Sequence, residues 1–177
     1  MNKLHVSAPG RICLFGEHQD YQHLPIIAAA ISKRIYVDGL FRKDKLINIA
    51  LPDLNSSESF MLEDEIPYTA ERDYLRSCVN VLIREGFTFS KGFDVTMRGE
   101  IPINAGTSSS SAMIIAWINF LTQMSYQKKT LDAKEIANLG YKAEVLEFGE
   151  PGGMMDHYST SVGGAINLTC FAALFIF

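Results

Sequence analysis

A nearly unbroken apolar run in the second half of the chain limits the folds that the sequence can adopt. A helix is expected to begin within residues 108–111 and to continue through apolar residues at Met113, Ile114, Ile115, Trp117, Ile118, Phe120 and Leu121. A helix that is apolar on nearly every face must be covered on all sides. A chain of 177 residues is long enough to cover it with a single core. The sequence therefore predicts one domain built around this helix.

The other periodic segments predict strands followed by several helices. Clusters of β-branched and aromatic residues favour strands over residues 33–41, 46–51, 59–62 and 92–98, and residues 1–6 favour a first strand. Helical spacing predicts helices over residues 71–85, about 132–147 and about 154–162. This order indicates an α+β fold, with an antiparallel sheet packed with helices, rather than a regular βαβ repeat.

Charge and cysteine content exclude several classes of protein. The net charge is −4, and acidic and basic residues are interspersed without a basic stripe, so nucleic acid is not an expected partner. Cys13, Cys78 and Cys170 show no Cys-x-x-Cys spacing, which argues against a disulfide framework or a zinc site. The apolar run over residues 170–177 is far shorter than the roughly 20 residues that span a bilayer. The sequence predicts a cytoplasmic protein and gives no indication of its protein partners.

The first segment that carries chemistry covers residues 8–21. Arg11, Glu17, His18 and Asp20 place four ionisable side chains within ten residues of a glycine-punctuated, otherwise apolar stretch. The last three supply hydrogen-bond acceptors and a donor for neighbouring hydroxyl groups, and Arg11 adds a permanent cation that can hold an anion. A polar loop at the end of a strand would show the same pattern, and the pattern alone does not separate the two interpretations.

The second segment, residues 99–112, is a loop of small residues that leads directly into the buried helix. A helix N-terminus leaves backbone N–H groups unpaired, so a phosphate can satisfy several donors at once, and serine hydroxyls add donors or a magnesium ligand. No Gly-Lys-[Ser/Thr] follows, so this is not a Walker A loop. Most serine runs are linkers or helix caps, but Pro102, Gly106 and the abrupt change to an apolar helix favour a phosphate site.

The third segment covers residues 143–157 and contains two carboxylates of interest. Glu144 shares a helix face with Gly140 and Ala137, small residues that permit the close approach of another element, so it is a plausible magnesium ligand. Asp156 follows a Pro-Gly-Gly turn and opens a helix. The simplest interpretation of Asp156 from the pattern alone is a stabilising charge at a helix N-terminus.

In order and spacing, the three segments resemble the GHMP kinase superfamily, and its galactokinase branch most closely. Residues 10–21 resemble the signature Gly-Arg-x-Asn-x-x-Gly-Glu-His-x-Asp-Tyr, with Cys13 in place of asparagine. Residues 102–111 resemble the phosphate loop Pro-x-Gly-x-Gly-Leu-Ser-Ser-Ser-Ala, with Asn104 and Thr107 in place of glycine and leucine. Residues 144–156 are similar to the stretch between the metal-ligand glutamate and the catalytic aspartate, and His157 replaces the glutamine that follows.

The resemblance implies a role for each matching position. It makes Arg11 and Asp156 the catalytic pair, assigns Mg²⁺ to Ser110 and Glu144, and assigns substrate hydroxyls to Glu17, His18 and Asp20. It assigns the ATP phosphates to the backbone amides of the loop residues Gly106, Thr107, Ser108, Ser109 and Ser110.

The implied activity is ATP-dependent phosphorylation of a sugar at its anomeric hydroxyl, with ATP and Mg²⁺ as cofactors. One alternative is another GHMP kinase that acts on a uronic acid, a heptose, an amino sugar or a mevalonate-like alcohol. Another is a catalytically silent regulator that binds sugar and ATP. The intact set of Arg11, Glu144 and Asp156 favours an enzyme.

The resemblance also bears on the end of the chain. Residues 1–170 are expected to form the N-terminal, substrate- and ATP-binding domain of a GHMP kinase, with the C-terminal ferredoxin-like domain absent. Residues 171–177 depart from the polar pattern expected there, and a truncation or frameshift near Cys170 is the hypothesis for this change. The 177 residues alone are expected not to turn over substrate.

Overall fold

The computed structural model describes residues 3–102 and 105–169. In these ranges the strands are β1 (Leu4–Phe15), β2 (Ile26–Phe41), β3 (Leu46–Leu51), β4 (Ser56–Met61), β5 (Phe93–Gly99) and β6 (Ala165–Leu168). The helices are α1 (Tyr74–Arg84), α2 (Ser109–Met124), α3 (Ala133–Tyr141) and α4 (Met155–Val162). The described residues do not include Asn104, Cys170 or the apolar segment 171–177, to which some of the sequence-based expectations refer. None of the helices in the described ranges combines the length and apolar character needed to cross a membrane.

The strands form one sheet in the order β1-β2-β5-β3-β4, and β6 pairs with the first part of β2. This confirms the α+β class with helices packed on a sheet, but the sheet is mixed rather than antiparallel. β3 and β5 run parallel, whereas the other described pairs are antiparallel. The chain passes from β4 through α1 before it returns beside β3, and a crossover of this length permits parallel pairing.

The two longest strands extend well beyond their predicted limits. β1 continues through the first motif, with irregular pairing between Pro9 and Arg11 and again between Cys13 and Phe15. The first part of β2, which includes alanines at positions 28–30, pairs with β1 on one side and β6 on the other. Alanine has low strand propensity, so the pairing of distant segments rather than local sequence makes this part a strand.

The predicted central helix is confirmed. Trp117, Phe120 and Leu121 of α2 are fully buried, and α2 contacts the sheet and the three other α-helices. The Trp117 indole N–H donates a hydrogen bond to the carbonyl oxygen of Leu75 on α1, 3.1 Å away. Burial of each large apolar side chain contributes about 1.5–3 kcal/mol, so α2 supplies a major part of the core.

The third helix is less regular than its sequence pattern indicates. It begins with a capping box between Asp132 and Glu135, close to the predicted start. The α-helical pattern ends at Tyr141, and the chain continues as one π-helical turn over Lys142–Leu146. The predicted helical span to about residue 147 is confirmed, with a π-helical turn in place of its last α-helical turn. A π turn holds one extra residue per turn, a feature that often occurs at functional sites.

Candidate active site

Arg11 joins the three sequence motifs at one point. Its side chain is on β1 and is 6% exposed. Its Nε and Nη2 atoms lie 2.8 and 2.6 Å from Asp156 Oδ1, and its Nη1 donates to the carbonyl oxygen of Gly106 at 2.7 Å. The Arg11 backbone N–H donates to the carbonyl oxygen of Thr107 at 3.2 Å. One buried guanidinium thus holds both the serine-rich loop and the aspartate of the third motif.

Asp156 lies in the first turn of α4 with its side chain 32% exposed. That position suits a helix N-terminal charge. Its ion pair with Arg11 adds a second feature, because the arginine fixes the carboxylate at the edge of a cleft. The carboxylate is therefore held in place while part of it stays accessible to a ligand.

The cleft beside this ion pair has a volume of about 310 Å³. It brings together the residues predicted to bind substrate or metal with the predicted catalytic pair: Arg11, Glu17, His18, Asp20, Ser110, Glu144 and Asp156. Arg72 and Glu150, which no motif pointed to, also line it. Both arginines are paired with carboxylates, since Arg72 makes a two-pronged ion pair with Glu150 at 2.6 and 2.7 Å. Glu17 and Asp20 of the first motif form no ion pair among the described residues, so they give the cleft an acidic character.

The three polar residues of the first motif differ in their surroundings. Glu17 and His18 are exposed at the mouth of the cleft, and His18 has a φ of 61°, a strained conformation for a residue other than glycine. Asp20 is 7% exposed, and its Oδ2 accepts a hydrogen bond from the backbone N–H of Met155 at 3.0 Å. Asp20 thus also anchors the start of α4, a role that the sequence did not indicate.

The serine-rich loop presents unpaired donors. Gly106 and Ser108 have positive φ values of 67° and 55°, and the carbonyl oxygen of Ser108 accepts the first helical hydrogen bond of α2, from Ala112. The hydroxyl oxygens of Thr107 and Ser108 are buried without a hydrogen-bond partner among the described residues. Buried polar groups are rarely left unpaired. A bound phosphate could accept hydrogen bonds from these two hydroxyls and from the backbone amides at the helix N-terminus. The loop therefore fits the phosphates of a nucleotide.

A second cavity, of about 380 Å³, is lined by Ser109 and Ser110 of the serine-rich segment. Its lining is mainly apolar and includes Ile35, Leu51, Leu54, Met97, Ile101 and Met113. Arg72, Tyr74 and Ser110 line both this cavity and the acidic cleft, so the two spaces meet at the loop. An apolar space next to a loop that fits phosphates suits a flat nucleobase.

Glu144 lies in the middle of the π turn, between α2 and α4. Its Oε2 accepts a hydrogen bond from the Ser111 hydroxyl at 2.7 Å and lies 2.8 Å from His157 Nε2. Burial raises the pKa of Glu144, but His157 and the hydroxyls of Ser110 and Ser111 outweigh it and lower the pKa below the usual value. An ionised carboxylate beside hydroxyls suits a hard cation such as Mg²⁺.

The donor set around Glu144 constrains how a cation could bind. Within the described part of the chain, no group of three or more His, Cys, Asp or Glu side chains has the geometry of a metal site. Mg²⁺ is commonly bound by one or two carboxylates together with substrate phosphates and water. Glu144 and Ser110 therefore fit a cation that arrives with a nucleotide.

Comparisons with known proteins agree with this geometry. The model of the GHMP kinases N-terminal domain matches residues 73–164, and that of the galactokinase galactose-binding signature matches residues 2–38. The chain belongs to the GHMP kinase family. Members of this family are ATP-dependent phosphotransferases that use Mg²⁺.

Relatives within the GHMP kinase family include enzymes for two kinds of substrate. The mevalonate kinase of Pyrococcus furiosus is 31% identical over 173 residues, covering 93% of this chain and 51% of that protein. The galactokinase of Haemophilus influenzae strain PittEE is 31% identical over 160 residues, covering 89% of this chain and 41% of that protein. The chain thus spans about half the length of the curated relatives it matches.

Solved structures of the GHMP kinase family confirm the fold. The galactokinase of Lactococcus lactis complexed with galactose matches with a TM-score of 0.86 and 27% identity, covering 96% of this chain and 45% of that one. The mevalonate kinase of Methanococcus jannaschii matches with a TM-score of 0.83 and 24% identity, covering 95% and 54%. At that identity the second likeness shows the fold alone.

Sequence reasoning missed several residues of the GHMP kinase site. Ser111, which was not among the predicted site residues, donates a 2.7 Å hydrogen bond to Glu144, and nothing in the run of four serines separates it from Ser110. His157 was noticed only as a departure from the family glutamine. Arg72 and Glu150 are 78 positions apart, and nothing in the sequence connects them.

Proposed function

We propose that this chain forms the acceptor-binding and nucleotide-phosphate-binding part of an ATP-dependent kinase that phosphorylates a neutral sugar at its anomeric hydroxyl. The observation that carries the proposal is the position of Arg11, which holds Asp156 at the acidic cleft and the serine-rich loop at the same time. This arrangement would bring an acceptor hydroxyl and a nucleotide phosphate together at one arginine–aspartate pair.

The nucleotide would lie along the loop. The amides of residues 106–110, with the unpaired hydroxyls of Thr107 and Ser108, bind the phosphates, and the apolar cavity receives the base. Ser110 and Glu144 would hold Mg²⁺, which would neutralise part of the phosphate charge.

The acceptor would lie in the acidic cleft. Glu17, His18 and Asp20 bind its hydroxyl groups, and Asp156 accepts the proton of the anomeric hydroxyl as the phosphoryl group is transferred. The anomeric hydroxyl is the best nucleophile of a free hexose. Arg11 holds the aspartate in a single orientation. Positioning and charge neutralisation supply most of the acceleration in phosphoryl transfer, so the fixed geometry matters more than the strength of the base.

The charge of the cleft favours a neutral acceptor. Its five carboxylates, Glu17, Asp20, Glu144, Glu150 and Asp156, outnumber its two arginines. Both arginines are occupied by ion pairs, so an anionic acceptor would find no unpaired arginine there. The match of residues 2–38 to the galactose-binding signature supports the same choice. The mevalonate kinases among the relatives support a second candidate, a mevalonate-like alcohol.

A panel of acceptors tests the proposal. Binding of neutral hexoses, a uronic acid and mevalonate is measured by calorimetry on the chain itself. ADP release is measured with the chain and with a version extended by the C-terminal half of a relative. We expect a neutral hexose to bind to the chain and to support ADP release from the extended version only. A preference for mevalonate or the uronic acid would refute the sugar assignment. Binding of sugar and ATP without ADP release from the extended version would instead support a silent regulator.

A further inference from the structure

His157 is a buried polar side chain for which the proposed function has no use. It lies on α4 next to Asp156 and is 2% exposed. Its Nε2 lies 2.8 Å from Glu144 Oε2, and its Nδ1 is buried without a hydrogen-bond partner among the described residues. Because a carboxylate oxygen is an acceptor, Nε2 carries the proton in this contact.

The His157 ring has little room to move. It packs edge-on against Tyr141, with ring centroids 5.7 Å apart at an angle of 81°. Its Cδ2 atom approaches Gly140 so closely that an added Cβ at that position would lie 3.2 Å from it. The donor at Nε2 is therefore aimed at Glu144 by the packing of α3 and α4.

Two donors from different helices converge on the same carboxylate oxygen. Ser111 comes from the first turn of α2 and His157 from α4, and both contact Oε2 of Glu144. A glutamate side chain has several rotamers, and two fixed donors restrict its carboxylate to one orientation. Hydrogen-bond partners that orient a ligand in this way commonly raise the affinity of a metal site.

We propose that His157 is a positioning residue: it fixes the Glu144 carboxylate in the orientation that holds the cation accompanying the nucleotide. The proposal rests on the proposed function, because it takes Glu144 as a cation ligand. It goes further by assigning a role to the position at which this chain departs from the family glutamine.

The test measures metal affinity rather than turnover. Mn²⁺ binding to the full chain with saturating ADP is followed by electron paramagnetic resonance of free Mn²⁺, and the melting temperature of each variant is recorded. His157→Phe keeps a ring and removes the donor, whereas His157→Gln keeps a donor. Glu144→Gln tests the ligand itself. Ser159→Ala is the matched control, since Ser159 is also buried on α4 but its hydroxyl donates to Met155 within the helix.

We expect His157→Phe to weaken Mn²⁺ binding by about 10- to 100-fold, the usual effect of removing a residue that orients a metal ligand. His157→Gln should restore most of the affinity, Glu144→Gln should lose at least as much as His157→Phe, and Ser159→Ala should bind Mn²⁺ normally. Metal-free ADP binding should be unchanged in all four variants.

If His157→Phe binds Mn²⁺ with wild-type affinity while Glu144→Gln binds it more weakly, the role of His157 is overturned and the cation site is left intact. Wild-type affinity in Glu144→Gln would remove Glu144 from the proposed function, and the role of His157 with it. If His157→Phe does not fold, His157→Met serves as the donor-free variant. Equal affinity in His157→Met and His157→Gln would then overturn the inference.

Discussion

Replacing Gly153 by alanine should test whether Asp20 is the anchor of α4. A Cβ added at Gly153 would lie 1.9 Å from Asp20 Oδ2 and 2.1 Å from its Cγ, distances at which the carboxylate must move. Movement breaks the 3.0 Å hydrogen bond that Oδ2 accepts from the backbone N–H of Met155. The methyl group is therefore expected to release the start of the helix that carries Asp156.

Two contributions add up in the Gly153→Ala variant. A hydrogen bond to a charged group contributes about 1.5–3 kcal/mol, and its loss leaves a buried N–H unpaired. Overpacking of a filled site costs about 1–3 kcal/mol more. The free energy of unfolding should therefore fall by roughly 2.5–6 kcal/mol, a large share of the roughly 5–15 kcal/mol typical of a domain.

The neighbouring glycine provides the control. A Cβ added at Gly152 would lie 3.4 Å from Val145 Cγ2, an ordinary contact, so Gly152→Ala should be neutral or stabilise the chain by about 0.4–1 kcal/mol. Urea denaturation followed by circular dichroism measures both variants, alone and combined with Asp20→Ala. Because Asp20→Ala removes the clash, Gly153→Ala should cost little in that background. An equal cost of Gly153→Ala in both backgrounds, or equal stability of the two alanine variants, would refute the reasoning.

Three further predictions concern single carboxylates. Asp156→Asn should abolish ADP release in an extended, active version while calorimetric binding of sugar and nucleotide persists, because basicity is lost and shape retained; near-normal turnover would contradict this. Glu17→Ala should weaken sugar binding roughly 10- to 100-fold and leave nucleotide affinity unchanged, whereas an equal loss for both ligands would indicate misfolding. Burial opposes ionisation of Glu147, but hydrogen bonds from Arg84 and Tyr68 outweigh it and lower its pKa below the ordinary 4.5. The ion pair of Glu147 with Arg84 is partly exposed, so it stabilises the fold by at most about 1 kcal/mol. This stabilisation is present above pH 4.5 and is lost as the pH falls through the lowered pKa of Glu147. Urea denaturation of wild type and Glu147→Gln should differ near pH 7, and the difference should shrink as the pH falls below 4.5; a difference that does not change with pH would rule the explanation out.

The parts of the fold that could be predicted are those in which local pattern and tertiary environment agree. The central helix is apolar on nearly all sides, so its burial followed from the sequence alone. The first part of β2 gave no such signal, because its alanines become a strand only through pairing with β1 and β6. The parallel pairing of β3 with β5 depends on the path of the chain through α1, which no local pattern encodes.

The site shows the same division between motif and geometry. The order and spacing of three motifs identified the residues that meet at the cleft, including Arg11 and Asp156. The sequence could not show that Ser111 donates to Glu144, since that depends on where α2 begins and how it is rotated against the π turn. Nor could it show the ion pair of Arg72 with Glu150, which forms only when two distant loops meet at the cleft.

The first motif holds α4 from two sides, and this decides which variants can be interpreted. Arg11 binds the Asp156 side chain and the carbonyl oxygen of Gly106, while Asp20 binds the backbone at Met155. Loss of either residue is therefore expected to disturb both the proposed substrate recognition and the position of the Asp156 carboxylate. Glu17, exposed at the mouth of the cleft, makes no comparable contact with α4 among the described residues. Its replacement can change acceptor affinity without moving Asp156, so substrate recognition in this fold is best separated from catalysis at Glu17.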